Sequence, residues 1–156
     1  MVVFYLVLRA LDTIEDDMKA FADNKEKIYQ LENFYEQALE NKYWNMTAVG
    51  EAHEAELLEN FYKVTRVFKD LRPEAQVVIK DICKKMGGGM AEFVAKDLGE
   101  GTKSIAEYDR YCHFVAGLVG EGLSRLFSES GLESPKVAQE MELADSMGKF
   151  LQKVCF

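Results

Sequence analysis

Residues 4–18 read Phe4-Tyr5-Leu6-Val7-Leu8-Arg9-Ala10-Leu11-Asp12-Thr13-Ile14-Glu15-Asp16-Asp17-Met18, an apolar run that passes directly into four carboxylates within six residues. At about 100° per residue, Tyr5, Arg9, Asp12 and Asp16 fall on one narrow stripe of a helix. Asp12 and Asp16 are one turn apart, so their carboxylates meet on one face, where like charges destabilise an isolated helix. A divalent cation reverses the sign of that term. Mg²⁺ is a hard ion that takes a few carboxylates, its own waters and substrate phosphate oxygens. Two readings fit the spacing. In one, the pair bridges to a diphosphate through metal while Arg9, one turn earlier, holds a phosphate oxygen. In the other, it is a solvated acidic helix end.

Outward from this stretch the pattern is helical almost throughout. The spacing predicts a first helix over 2–22 and a second over 25–40, the latter carrying Ile28, Leu31, Phe34, Tyr35 and Leu39. Residues 41–50 read as a loop. A third helix is predicted over 51–71, with Leu57, Leu58, Phe61, Val64 and Phe68 on its apolar face. Pro73 suits the first position of a fourth, where its missing N–H costs nothing. Gly87, Gly88 and Gly89 lie inside that helix and weaken it by up to about 1 kcal/mol each relative to alanine. They predict either a break or the close approach of a ligand or another backbone. Ser104 with Glu107 forms a capping-box signature for a fifth helix over 104–128, and Ser134-Pro135 opens a sixth. No strand alternation and no repeat is seen, so the expected class is all-α, with packed helices joined by short connections.

The second informative stretch is Tyr108-Asp109-Arg110-Tyr111-Cys112-His113-Phe114-Val115-Ala116-Gly117-Leu118-Val119-Gly120-Glu121-Gly122-Leu123-Ser124-Arg125-Leu126-Phe127. Helical winding puts Tyr111, Val115, Leu118 and Gly122 on one face and Ala116, Gly117 and Gly120 on another, where a second helix could approach closely. A wall of Leu, Val and Gly ending in a tyrosine hydroxyl suits an apolar chain beside a reactive centre. Ordinary core packing with Tyr111 at the boundary fits the composition too. His53 and His113 are the only histidines, and neither sits in an E-x-x-H pattern, so a di-iron bundle site is not supported. Both read as structural or surface residues.

Length and charge narrow the field. The chain has 156 residues, one domain's worth, with 27 acids against 19 bases and a net charge of −8. Phosphate backbones select clustered Lys and Arg, so a nucleic-acid partner is not expected. Cys83, Cys112 and Cys155 lack CxxC spacing and read as free thiols, the first two as small buried apolar groups. No run approaches the length of a membrane span.

The two long stretches resemble squalene synthase. FYLVLRALDTIEDDM is similar to that family's first aspartate-rich motif, and YCHFVAGLVGEGLSRLF to its tyrosine-bearing helix; DICKKMGGGMAEF and SMGKFLQK match further segments in the same order. Phytoene synthase, the sister family, shares D-x-x-x-D, but the residues around Asp12 and the LVGEGLSRLF run favour squalene synthase. The resemblance implies an isoprenoid synthase-type helical bundle, with residues 1–156 as part of one catalytic domain. It implies head-to-head coupling of two farnesyl diphosphates through presqualene diphosphate to squalene. Asp12, Asp16 and Glu15 would hold Mg²⁺, Arg9 and Tyr5 would bind diphosphate, and Tyr111 would move the proton. NADPH would supply hydride in the second half-reaction.

The family continues beyond FLQK into a second aspartate-rich motif and a C-terminal membrane anchor, and it carries an arginine-bearing segment before the first motif. Here the sequence opens at Met1 and closes at Val154-Cys155-Phe156. The expectation is therefore an incomplete bundle, inactive in isolation, with apolar helix faces left uncovered. For the whole family protein the resemblance implies a monomer at the cytosolic face of the endoplasmic reticulum. The alternatives are a phytoene synthase-type prenyltransferase and a non-catalytic helical fragment.

Overall fold

The computed structural model describes residues 1–96 and 101–154, and every regular element among them is helical. Helix α1 spans Val2–Asp16 and buries Phe4, Val7, Leu8, Ala10, Leu11, Thr13 and Ile14. The opposite stripe stays accessible, with Tyr5 and Asp16 exposed and Arg9 and Asp12 half-buried. The predicted continuation to residue 22 does not form. Asp17 takes extended backbone angles, and its carboxylate accepts N–H bonds from Lys19 and Ala20 at 2.8 Å and from Gly50 at 2.7 Å. An Asp side chain that competes for backbone donors in this way ends a helix.

Helix α2, Asn24–Glu40, starts on Asp23, whose side chain accepts from the Glu26 amide at 2.8 Å. The predicted helix over 51–71 is two, α3 at Ala52–Glu59 and α4 at Phe61–Lys69. Between them Asn60 leaves helical geometry at φ −106°, ψ 14°. At this break the Met46 amide of the 41–50 loop donates to the Leu58 carbonyl, at 3.1 Å. That loop also brings Trp44 edge-on to Phe34 and Phe61, with ring centroids 5.3 and 5.4 Å away.

Helix α5, Pro73–Ala95, has proline in its first turn and runs unbroken through the three glycines. Of the two outcomes they predict, close approach is the one observed. A Cβ on Gly87 would collide with the Leu31 carbonyl oxygen of α2, whereas Gly88 faces open space. Thr65 on α4 is buried and donates to the Ala38 carbonyl at 2.7 Å, fastening α4 to α2.

Contacts divide the chain into two compact units, Met1–Lys96 and Asp97–Phe156. The first contains the helices described so far and a core built on Phe4, Phe34, Phe61, Phe68 and Phe93. In the second, α6 is Ile105–Cys112, capped by Ser104, whose hydroxyl accepts from the Glu107 amide at 3.1 Å as predicted. The expected fifth helix is then interrupted by a π-helical turn, His113–Gly117, before α7 continues over Leu118–Glu129. The predicted sixth helix begins as a 3-10 turn, Pro135–Gln139, and becomes α8 over Met141–Val154. A Cβ on Gly120 would meet the Ala144 carbonyl, and one on Gly148 the Ala116 carbonyl. The close helix approach foreseen at Ala116, Gly117 and Gly120 is thus made by α8. Cys83 and Cys112 are free and buried, and Cys155 lies outside the described residues.

Candidate active site

The acidic end of α1 is positioned by its own core face. Burying Leu11 and Ile14 leaves Asp12, Glu15 and Asp16 on the accessible side. Burial raises the Asp12 carboxyl to about 7, the Asp16 charge and then Glu54 adding to the effect and Arg9 opposing it. Glu15 is raised to about 7 as well, first by burial, then by its hydrogen bond to Asp16 and that group's charge. A carboxyl is held this high first by burial, which penalises its charged form, and then by neighbouring negative charge that the nearby cation, Arg9 for Asp12 and Lys27 for Glu15, offsets only in part. Asp17 behaves oppositely. The N–H bonds from Gly50, Lys19 and Ala20 hold it below the usual carboxylate range, and its work is to shape the turn.

Two neighbours of this motif leave no local signal in the sequence. Arg9 forms an ion pair with Glu54 of α3, forty-five positions away, so the expected phosphate-binding guanidinium already has one partner; its fork retains further donors. Lys27, only 5% exposed, reaches back from the first turn of α2 and donates to the Glu15 backbone carbonyl. No spacing rule pairs residues so far apart, and a Lys-rich helix start reads as solvent-facing. A cleft of about 560 Å³ opens beyond the end of α1, lined by Asp16, Asp17, Lys19, Glu51 and Glu54 together with Met18 and Ala20.

Asp12, Glu15 and Asp16 do not form a closed cage. Among the described residues, the one group of three His, Cys, Asp or Glu ligand atoms within 4.8 Å of one another is His113, Glu121 and Asp145. Mg²⁺ does not need such a cage, because it keeps several waters and accepts one or two carboxylates plus substrate oxygens. The all-oxygen donor set and the raised Asp12 and Glu15 carboxyls fit it.

In the second unit, an apolar cleft of about 640 Å³ lies between α7 and α8, walled by Val115, Val119, Leu123, Leu143, Met147 and Leu151 with their neighbours. The face predicted from straight winding is only partly realised. Leu118 and Gly122 are buried, Tyr111 and Val115 are half-buried, and the π turn between Tyr111 and Leu118 interrupts the stripe. His53 is exposed, 3.6 Å from Glu56, whereas His113 places Nδ1 2.5 Å from Asp145 Oδ1.

The whole sequence, residues 1–156, matches the family squalene/phytoene synthase. The chain belongs to that family. It is 49% identical over 151 residues to squalene synthase BSS of Botryococcus braunii, covering 97% of this chain and 32% of that protein. The squalene synthases of Rattus norvegicus and Homo sapiens are 49% and 48% identical, each covering 97% of this chain and 34% of its own length. A solved structure of TcSQS with the ligand BPH1237 superposes with a TM-score of 0.88 at 46% identity, covering 97% of this chain and 42% of that one. The isoprenoid synthase-type helical fold is thereby shown. The chain spans about a third of the length of the curated relatives it matches. Among the described residues no helix is long and apolar enough to cross a membrane.

Proposed function

We propose that this squalene/phytoene synthase-family chain serves head-to-head coupling of two farnesyl diphosphates, through presqualene diphosphate, to squalene. The observation that carries the reading is the crowded acidic end of α1, where Asp12 and Glu15 are lifted to about 7 beside Asp16. Asp12 and Asp16, with Glu15 behind them, would hold Mg²⁺. The ion would supply positive charge to a departing diphosphate. Arg9 and Tyr5, on the same stripe, would orient the diphosphate oxygens, Arg9 with the donors that Glu54 leaves over. The apolar cleft of the second unit would take a prenyl chain and exclude the water that quenches an allylic cation. Tyr111 would take the proton lost as the cyclopropane closes. NADPH is suggested for the reduction by the family relation alone.

Both units would then be parts of one catalytic domain. A monomeric protein at the cytosolic face of the endoplasmic reticulum belongs to the same reading. Identity near 49% to squalene synthases favours farnesyl over the longer geranylgeranyl diphosphate of a phytoene-type enzyme.

The test is binding first. Inorganic diphosphate should bind the chain only when Mg²⁺ is present, and D12N or D16N should weaken that binding at least about tenfold. Binding that ignores Mg²⁺, or that survives both substitutions, sinks the metal assignment. Isotope-labelled farnesyl diphosphate with NADPH, given to a polypeptide that includes this chain, should yield squalene. Product formed only from geranylgeranyl diphosphate would favour the phytoene-type reading.

A further inference from the structure

We infer that the second unit holds a separate site for a zinc-class divalent ion, formed by His113, Glu121 and Asp145. These residues come from the π turn, α7 and α8, and one ligand atom of each lies within 4.8 Å of the other two. The set mixes one imidazole nitrogen with two carboxylates, the chemistry of Zn²⁺ sites, whereas Mg²⁺ takes oxygen.

The backbone leaves room for the site. A Cβ on Gly117 would fall on Asp145 Oδ1 and lie 3.2 Å from His113 Nδ1, so glycine opens the space where those two atoms converge. The wide turn of the π segment ends at that glycine. Glu121, half-buried, makes no hydrogen bond or ion pair with the described residues. It is a second carboxylate brought close to Asp145 without a counter-charge of its own. Asp145 is oriented from behind: Lys149 donates to Oδ2 at 2.9 Å, leaving Oδ1 directed at His113, and Lys149 also holds Asp109 at 3.2 Å. A metal-ligating carboxylate is commonly steadied by such an outer partner.

A tetrahedral ion with bonds of about 2.0–2.2 Å spaces its ligand atoms about 3.4 Å apart. His113 Nδ1 and Asp145 Oδ1, now 2.5 Å apart, would lose their shared proton and separate by about 1 Å, with Glu121 closing in. Such side-chain movements leave the helices in place. The ion would tie α8 to the π turn and keep a fourth position for water. The site is independent of the aspartate motif on α1.

The experiment uses the 156-residue chain, freed of metal and titrated near neutral pH with Co²⁺ as the spectroscopic stand-in for Zn²⁺. With excess Mg²⁺ present to fill the aspartate motif, one Co²⁺ per chain should bind with a ligand-field absorption band. Zn²⁺ should abolish the band, and further Mg²⁺ should leave it. H113Q and E121Q should each weaken Co²⁺ binding at this site at least about tenfold, while H53Q leaves it unchanged. As a readout free of substitutions, Zn²⁺ should shift the imidazole nitrogen resonances of His113 in the NMR spectrum and leave those of His53. Absence of stoichiometric binding, an unmoved His113 resonance, or undiminished binding by folded H113Q each overturns the site. Loss of Mg²⁺-dependent diphosphate binding with the Co²⁺ site intact would refute the proposed function and leave this inference standing.

Discussion

At the residue scale, the four carboxylates ending α1 divide into two kinds of work. Asp17 gives its oxygens to three backbone amides and is held ionised. Asp12 and Glu15 are crowded and raised. The consequence for stability has a definite sign. Asp12 ionises near 4 in an unfolded chain and at about 7 in the folded one. Between those values the folded state binds more protons, so this group's contribution to stability falls as pH rises from about 4 to 7. In metal-free buffer D12N should therefore stabilise the chain at pH 8, by about 1–2 kcal/mol once solvent screening is allowed for. The gain should shrink toward zero near pH 4. Urea unfolding at both pH values measures it, and a destabilised D12N at pH 8 would show that the crowding is relieved without metal. A replacement that stabilises the fold while removing metal binding is the behaviour expected of a functional group kept at a cost to stability.

At the scale of elements, the glycines of α5 have different tasks despite adjacent positions. Gly87 allows the α2 backbone to touch α5, and a side chain there must push the two helices apart. G87A is expected to destabilise by roughly 1–3 kcal/mol, the usual range for overpacking. Gly88 faces open space, so G88A should gain about 0.5–1 kcal/mol from better helix propensity and a less free unfolded chain. Denaturant midpoints of the two variants should move in opposite directions, and a shift of the same sign in both would mean that the helix contact does not depend on Gly87. Helical periodicity in the sequence runs past the ends of the helices that form. Periodicity carries across Asn60 and across 113–117, yet Asn60 leaves helical geometry at one place and a π turn widens the helix at the other.

For the whole molecule, the two units differ in how much they bury. The largest fully buried side chains among the described residues, from Phe4 to Phe93, all belong to the first. The second exposes Leu143, Met147, Phe150, Leu151 and Val154 along α8. Residues 1–96 expressed alone should unfold in one cooperative transition, while residues 101–154 alone should melt broadly and bind an apolar dye. Circular dichroism on the two segments decides this. Cooperative melting of the second segment without dye binding would show that its small-residue packing suffices.

The helical class, the Ser104 cap of α6, the start of α5 at Pro73, the stripe of Tyr5, Arg9, Asp12 and Asp16, and the family resemblance were all determined by the sequence alone. Each depends on residues within a turn or two of one another, or on the order of whole motifs along the chain. The Glu54 partner of Arg9, the buried Lys27, the breaks at Asn60 and 113–117, and the meeting of His113, Glu121 and Asp145 were decided only by tertiary structure. The physical reason is that these features arise where separate helices are packed against one another. A side chain's partner, its burial and its proton affinity are then set by groups tens of residues away, which helical periodicity does not encode.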